Sequence, residues 1–423
     1  MTAAVLRASR RTWSSLRKHR NYRLFFAGQV VSVTGTWMQN VAAAWLVLQL
    51  THSPVAVGVL MLCQFLPATV LGLVSGVLVD RLDVRRTVIG TQAASMVFAA
   101  VLAVLTLGGL VVPWHVYLLT GLRGISLVFD HPARQALTFQ MVGRNELPNA
   151  VALNSSLFNG ARVVGPALGG AVIAAGGPGV CFLLNAVSFV AVLASLTLIR
   201  PAELFPLDRG DERPTLLRGT GEAFAFLRRV PLAALVLGTV FLVTTLSFNF
   251  NVLLPVLAER TLAEGPEVFG IVTACFGTGA LVGALAAAAI SRASPRLLLA
   301  GTGVFGLAEL ALAPQTTLAA VAPLLFLAGL AFTVWTSNAN ATLQLAAPDR
   351  LRGRVMGLYY FAFNGAGPVG GMLAGWLAAA GGTALAFSVA GGAAIAVTAG
   401  ALALVRAGPG PGRLDPAPGT VHA

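Results

Sequence analysis

Charge is scarce in this chain. Asp, Glu, Lys and Arg together make up 10% of its 423 residues, against roughly 25% in soluble domains. That shortage excludes an ordinary soluble protein. Lysine is nearly absent, Lys18 being the only one, which points to a GC-rich genome and to nothing mechanistic. Cysteine is scarce too. Cys63, Cys181 and Cys275 each stand alone in an apolar run, so neither a disulfide framework nor a metal site is implied. No Ser/His/Asp set and no cluster of metal ligands is present, so the chain is expected to be neither an enzyme nor a cofactor carrier. Gly301-x-Gly303-x-x-Gly306 spells a dinucleotide fingerprint. It lies inside an apolar run, follows no strand, and has no acid ~20 residues later. Long polar stretches are missing as well, leaving no room for a soluble domain.

What is present is hydrophobic length: 57% of the residues are hydrophobic and the mean hydropathy is +0.81. Uncharged runs repeatedly exceed the ~20 residues that a membrane-spanning helix needs. Twelve spans are predicted: Leu24–Leu50, Val55–Val79, Arg86–Leu107, Trp114–Phe139, Pro148–Ala175, Val180–Leu198, Leu232–Leu257, Val268–Ile290, Arg296–Leu312, Leu318–Leu345, Arg354–Ala379 and Ala384–Val405. The lipid bilayer is thus the first expected partner. The N-terminal run is too long for a typical cleaved signal peptide and reads as a retained span.

The net charge of +13 raises the question of nucleic acid, and its placement answers it. Nearly all of the cations fall at alternate hinges. That asymmetry is the positive-inside rule, and it puts both termini in the cytoplasm. The expected organisation is a basic N-terminus (1–23), a six-helix half (24–199), a cytoplasmic linker (200–230), a second six-helix half (231–405) and a cytoplasmic tail (406–423). The halves repeat: Phe158-Asn159-Gly160-Ala161 recurs as Phe363-Asn364-Gly365-Ala366. Such internal symmetry is expected of transporters that bind cargo near the midplane between halves.

The second and third spans are joined by Gly76-Val-Leu-Val-Asp80-Arg81-Leu-Asp83-Val-Arg85-Arg86. This hinge resembles the signature between helices two and three of the major facilitator superfamily. The resemblance implies an all-α integral membrane protein with twelve transmembrane helices in two pseudo-symmetric halves. It also implies a cytoplasmic latch at Gly76, Asp80, Arg81, Arg85 and Arg86. Asp130, at the inner end of the fourth span, is placed to pair with Arg81 or Arg85. The plain alternative is that these arginines only anchor topology. Gly165-Pro166-Ala167-Leu168-Gly169-Gly170 resembles the antiporter motif of the superfamily's drug–proton exporters. The same residues also serve ordinary close helix packing.

Leu119-x-x-x-Arg123 resembles a superfamily motif linked to proton transfer. A charge near the midplane costs at least ~2.5–3.5 kcal/mol on insertion scales and normally faces a cavity or partner. Arg162 and Glu309 are further intramembrane charges, grouped with Arg123 as midplane coupling candidates; a structural ion pair is the other reading. In the superfamily, spans one, four, seven and ten line the cavity. Here spans one, seven and ten carry, in turn, Trp37, Gln39 and Asn40; Asn249 and Asn251; and Trp335, Asn338 and Asn340. These form either an amphipathic wall for cargo or interhelical amide bonds.

Asn21-Tyr22-Arg23-Leu24-Phe25-Phe26, Pro132-Ala133-Arg134-Gln135 and Asn149-Ala150-Val151-Ala152-Leu153-Asn154 together resemble the bacterial transmembrane secretion effector group, which includes enterobactin-exporter-like proteins. That implies a multi-pass protein of the bacterial inner membrane. It would export an amphipathic siderophore, drug or secondary metabolite by alternating access, with protons as the coupling ion. The rival readings are a nutrient importer and a non-transporting membrane scaffold.

Overall fold

A computed structural model of the chain describes residues 13–79, 82–206, 216–290, 294–365 and 367–407, and among these the regular structure is helical throughout. The helices are α1 (Ser14–Lys18), α2 (Arg20–Thr51), α3 (Pro54–Val79), α4 (Val84–Leu107), α5 (Pro113–Gly176), α6 (Pro178–Thr197), α7 (Leu216–Arg229), α8 (Pro231–Leu246) and α9 (Phe250–Val256). A π-helical turn (Leu257–Thr261) follows, then α10 (Pro266–Ile290), α11 (Pro295–Leu312), α12 (Leu318–Ala346), α13 (Asp349–Asn364) and α14 (Gly367–Ala407). Among the described residues, nine helical stretches are long and apolar enough to cross a membrane. The first expected span is helical as α2 but is not one of the nine; Gln29, Ser32, Gln39 and Asn40 dilute its apolar face.

Local chemistry sets the helix ends. Prolines open α5, α6, α8 and α11, where the missing N–H is one that a helix start leaves unpaired anyway. The Asp83 carboxylate accepts from the Arg86 backbone N–H at 2.8 Å and caps α4. The fourth and fifth spans run together in α5, turned at Gly143, whose φ of 67° is open to glycine at little cost. The eleventh and twelfth share α14, turned at Gly381 and Gly382.

Two spans expected to be continuous are interrupted. The seventh breaks between Leu246 and Phe250. There the Ser247 hydroxyl donates to the Ala390 carbonyl at 2.6 Å and the Asn249 amide donates to the Thr245 carbonyl at 3.0 Å. Side chains thereby replace part of the backbone ladder, a competition open to Ser and Asn. The eleventh breaks after Asn364, because Pro368 has no N–H to give the carbonyl four residues earlier.

The chain divides into two compact units. The first comprises Met1–His52, Leu66–Glu212 and Glu264–Ala274. In it α2 and α4 pack on α5 and α6 around Tyr22, Phe25, Val88, Leu137 and Phe189. The second comprises Ser53–Phe65, Arg213–Ala263 and Cys275–Ala423, with a core that includes Phe226, Val240, Leu298, Leu343 and Val355. The start of α3 therefore packs with the second unit and the start of α10 with the first. Glycines permit both contacts. A Cβ on Gly170 would stand 2.9 Å from the Gly270 Cα, and one on Gly58 would stand 2.7 Å from the Gly371 carbonyl oxygen. Outward-facing Val70, Val104, Leu118, Val187, Leu285 and Trp376 are more than half exposed. So much apolar surface suits lipid, where backbone polar groups must be satisfied within the helices.

Candidate functional site

In the first unit, α2 and α5 bring a polar cluster together inside an apolar bundle. Arg123 is 3% exposed and donates to the Asn40 side-chain oxygen at 2.6 Å. Its Nε has no hydrogen-bond partner among the described residues, and no described carboxylate lies within ion-pair distance of it. A desolvated guanidinium without a counter-charge is costly. The Asn185 amide donates to the Gln39 oxygen, which ties α2 to α6. The Arg162 guanidinium lies 5.8 Å from the Trp37 ring centroid, a cation–π arrangement. Four of the predicted residues on spans one, four and five thus meet as two pairs: Asn40 with Arg123, and Trp37 with Arg162.

The antiporter-like motif is a packing surface. A Cβ on Gly165 would meet the Thr34 carbonyl at 2.9 Å, and one on Gly169 would meet the Met38 carbonyl at 3.3 Å. Gly170 faces Gly270 instead. Pro166 sits between these contacts with its residue buried in α5.

At the gate, Asp80 and Arg81 lie outside the described residues, and Gly76 falls within α3. The expected pairing of Asp130 with Arg85 is corrected. Asp130 accepts from Thr91 at 2.9 Å and Gln92 at 2.8 Å and forms an ion pair with Arg134. Arg134 also donates to Gln29. Arg85 donates to the Leu196 and Thr197 carbonyls at 3.0 and 3.1 Å. There it serves the open C-terminal carbonyls of α6. Arg86 is exposed at the start of α4. Arg134 was missed as a partner, although its spacing of four residues from Asp130 is that of facing helical neighbours.

In the second unit, the interruptions of the seventh and eleventh spans line one cavity. Its walls include Thr244, Phe248, Asn249, Asn251, Phe363 and Asn364. Phe248 stacks on Phe332 with centroids 4.1 Å apart and planes 12° apart. Phe332 in turn contacts Phe276, Phe305 and Trp335. The seventh-span amides therefore line a cavity, whereas those of the tenth are engaged in helix contacts. The Asn338 oxygen accepts from the Ser294 backbone N–H at 3.2 Å, and the Asn340 oxygen accepts from Gln344. Trp335 is 1% exposed and packs within the aromatic cluster. Glu309 is fully buried near the end of α11 rather than at its middle.

The family described as transmembrane secretion effector matches residues 10–409. An enterobactin exporter, EntS, from Shigella boydii is 28% identical, with 82% of each chain covered. A multidrug efflux pump, Tap, from Mycolicibacterium fortuitum is 29% identical over 82% of this chain and 87% of that protein. A staphyloferrin A transporter from Staphylococcus aureus is 26% identical over 62% of this chain and 66% of its own length. Among solved structures, the nucleoside transporter NupG superposes with a TM-score of 0.72 at 14% identity, covering 92% of this chain and 100% of the other. At that identity the likeness concerns the fold alone.

Proposed function

The chain belongs to the transmembrane secretion effector family of major facilitator transporters, and from that premise we propose that it is a proton-driven exporter. Its cargo is an amphipathic small molecule of the siderophore, drug or secondary-metabolite kind, carried out of a bacterial cytoplasm by alternating access. One observation carries this reading. The cavity at the interrupted seventh and eleventh spans sets the amides of Asn249, Asn251 and Asn364 beside Phe248, Phe363 and Met61. Apolar walls with a few placed polar groups suit a bulky, partly apolar ligand. No acid stands among the described lining residues to accompany these amides, as a sugar importer's site would need. Relatives named for enterobactin, staphyloferrin A and macrolides support the same cargo class.

Each unit carries its own kind of contact. In the first unit Arg123 offers a buried cation suited to an anionic group, and in the second the phenylalanine wall suits an apolar one. The test uses inverted membrane vesicles energised with ATP and supplied with enterobactin, a macrolide or a lipophilic dye. Accumulation that collapses on adding a protonophore is the expected result. Accumulation insensitive to the protonophore removes proton coupling, and cargo movement only in the opposite direction makes the protein an importer.

A further inference from the structure

Glu309 is the one buried side chain in the described second unit whose carboxyl oxygens both lack a hydrogen-bond partner, and it is 0% exposed. It sits in the last turn of α11, which ends at Leu312. That is where unpaired carbonyls concentrate negative partial charge and disfavour an anion. Its polar neighbour is the Ser247 hydroxyl, at the interruption of the seventh span. That hydroxyl gives its proton to the Ala390 carbonyl instead.

Among the described residues, Glu309 makes no ion pair. α11 packs against α12 and α14. α12 carries no Asp, Glu, Lys, Arg or His, and α14 carries only Arg406, in its last turn. α8 and α9 carry none, and α11 itself has only Arg296, at its opposite end. Glu259 and Arg260 lie beyond α9, on the π-helical turn. An ionised carboxylate left so would be both desolvated and unpaired, and a buried group in that position is held neutral instead.

We propose that Glu309 is the proton-loading site of this transporter, and that Ser247 and the break in the seventh span gate it. The inference rests on the export reading for its role in coupling, and deepens it. Buried as it is here, the carboxyl holds its proton as the neutral acid, with the Ser247 oxygen free to accept from it. When the interruption opens toward the non-cytoplasmic side, the carboxyl exchanges protons with water there. When it opens the other way, it gives one proton to the cytoplasm. The bond made and broken is the carboxyl O–H alone. With both termini cytoplasmic, the end of α11 faces outward, the side from which an exporter takes its driving protons.

Two measurements on the purified full chain in lipid nanodiscs test this without any cargo. The first is infrared difference spectroscopy between neutral and alkaline buffer. Wild type should show the carbonyl stretch of a protonated carboxylic acid that is lost on alkalinisation, and Glu309→Gln should lack it. The second follows maleimide labelling of Asn251→Cys, with Cys63, Cys181 and Cys275 replaced by alanine. Its rate should change several-fold with pH in the otherwise wild-type protein. In Glu309→Gln, which mimics the neutral acid, the rate should stay at the low-pH value throughout, and Glu309→Asp should restore the dependence. An unchanged infrared band, or an unchanged pH profile, in Glu309→Gln overturns the proposal. Export failing in wild-type vesicles while both signals follow Glu309 would sink the export reading and leave the protonation site standing.

Discussion

Two buried charges on the fourth span are satisfied in opposite ways, and their variants should differ accordingly. Asp130 is met by Thr91, Gln92 and Arg134. Removing one partner of such a pair leaves the other unpaired, typically at ~3–5 kcal/mol. Asp130→Asn and Arg134→Gln should each lower thermal stability, and the double variant should lose less than the sum. Strictly additive losses in a detergent melting assay would dismiss the pair as a unit. Arg123 has only Asn40 and no described carboxylate, and the export proposed above gives that charge to an anionic group of the cargo. Arg123→Ala should insert normally yet lose transport, with Arg123→Lys in between because it keeps the charge without the planar fork. Wild-type rates in Arg123→Ala would make the residue structural. Outside the membrane, hydrogen bonds from Lys18 and Ser14 hold the Glu146 carboxyl below its usual range. A depressed carboxyl stabilises docking of α1 above its unfolded value of ~4.3 and loses that contribution as pH falls through the lowered folded value. Fluorescence of Trp13, beside α1, should therefore hold steady near neutrality and change only in strong acid.

At the scale of elements, the interrupted helices separate support from contact. Phe332 is 3% exposed within the aromatic cluster, whereas Phe248 lines the cavity. Phe332→Ala should cost ~3–5 kcal/mol by leaving a void. Phe248→Ala should cost less stability and weaken cargo binding more, read as a raised KM with melting little changed. The reverse ranking would place the binding wall elsewhere. These interruptions were poorly legible in the sequence. The hydrophobic runs gave the helices well, because length and missing charge suffice for that. The seventh run shows no break in its apolar pattern at Ser247, since the break depends on Ala390 and Phe332, which are distant in sequence. Proline made the eleventh more readable, but Pro368 alone does not say whether a helix kinks or stops. The amides were legible as a set and not by role. Asn249 and Asn338 look alike in sequence, and only their neighbours make one a cavity wall and the other a cap on the backbone before α11.

For the whole molecule, the charged hinge, the repeated halves and the subfamily stretches point to the family because they are local patterns. Which surfaces close against each other is not local, and here it rests on glycine. Gly58 meets Gly371 within one unit and Gly170 meets Gly270 within the other. The chain also carries its own reporters. Cys63 and Cys275 each lie five positions past Gly58 and Gly270 on the same helices, and both are partly exposed and unpaired. The alternating access proposed above is tested at these glycine contacts, which it predicts to loosen during the cycle. A leucine at either glycine would hold the backbones apart, since even a Cβ meets atoms at under 3 Å. Gly58→Leu and Gly270→Leu should therefore reach the membrane, transport slowly, and expose Cys63 or Cys275 to a membrane-impermeant maleimide added outside. Cys181, buried against the Gly169 carbonyl, should stay unlabelled and serve as the internal control. If labelling and transport both match wild type, these close approaches are static packing and the moving surfaces of the cycle lie elsewhere.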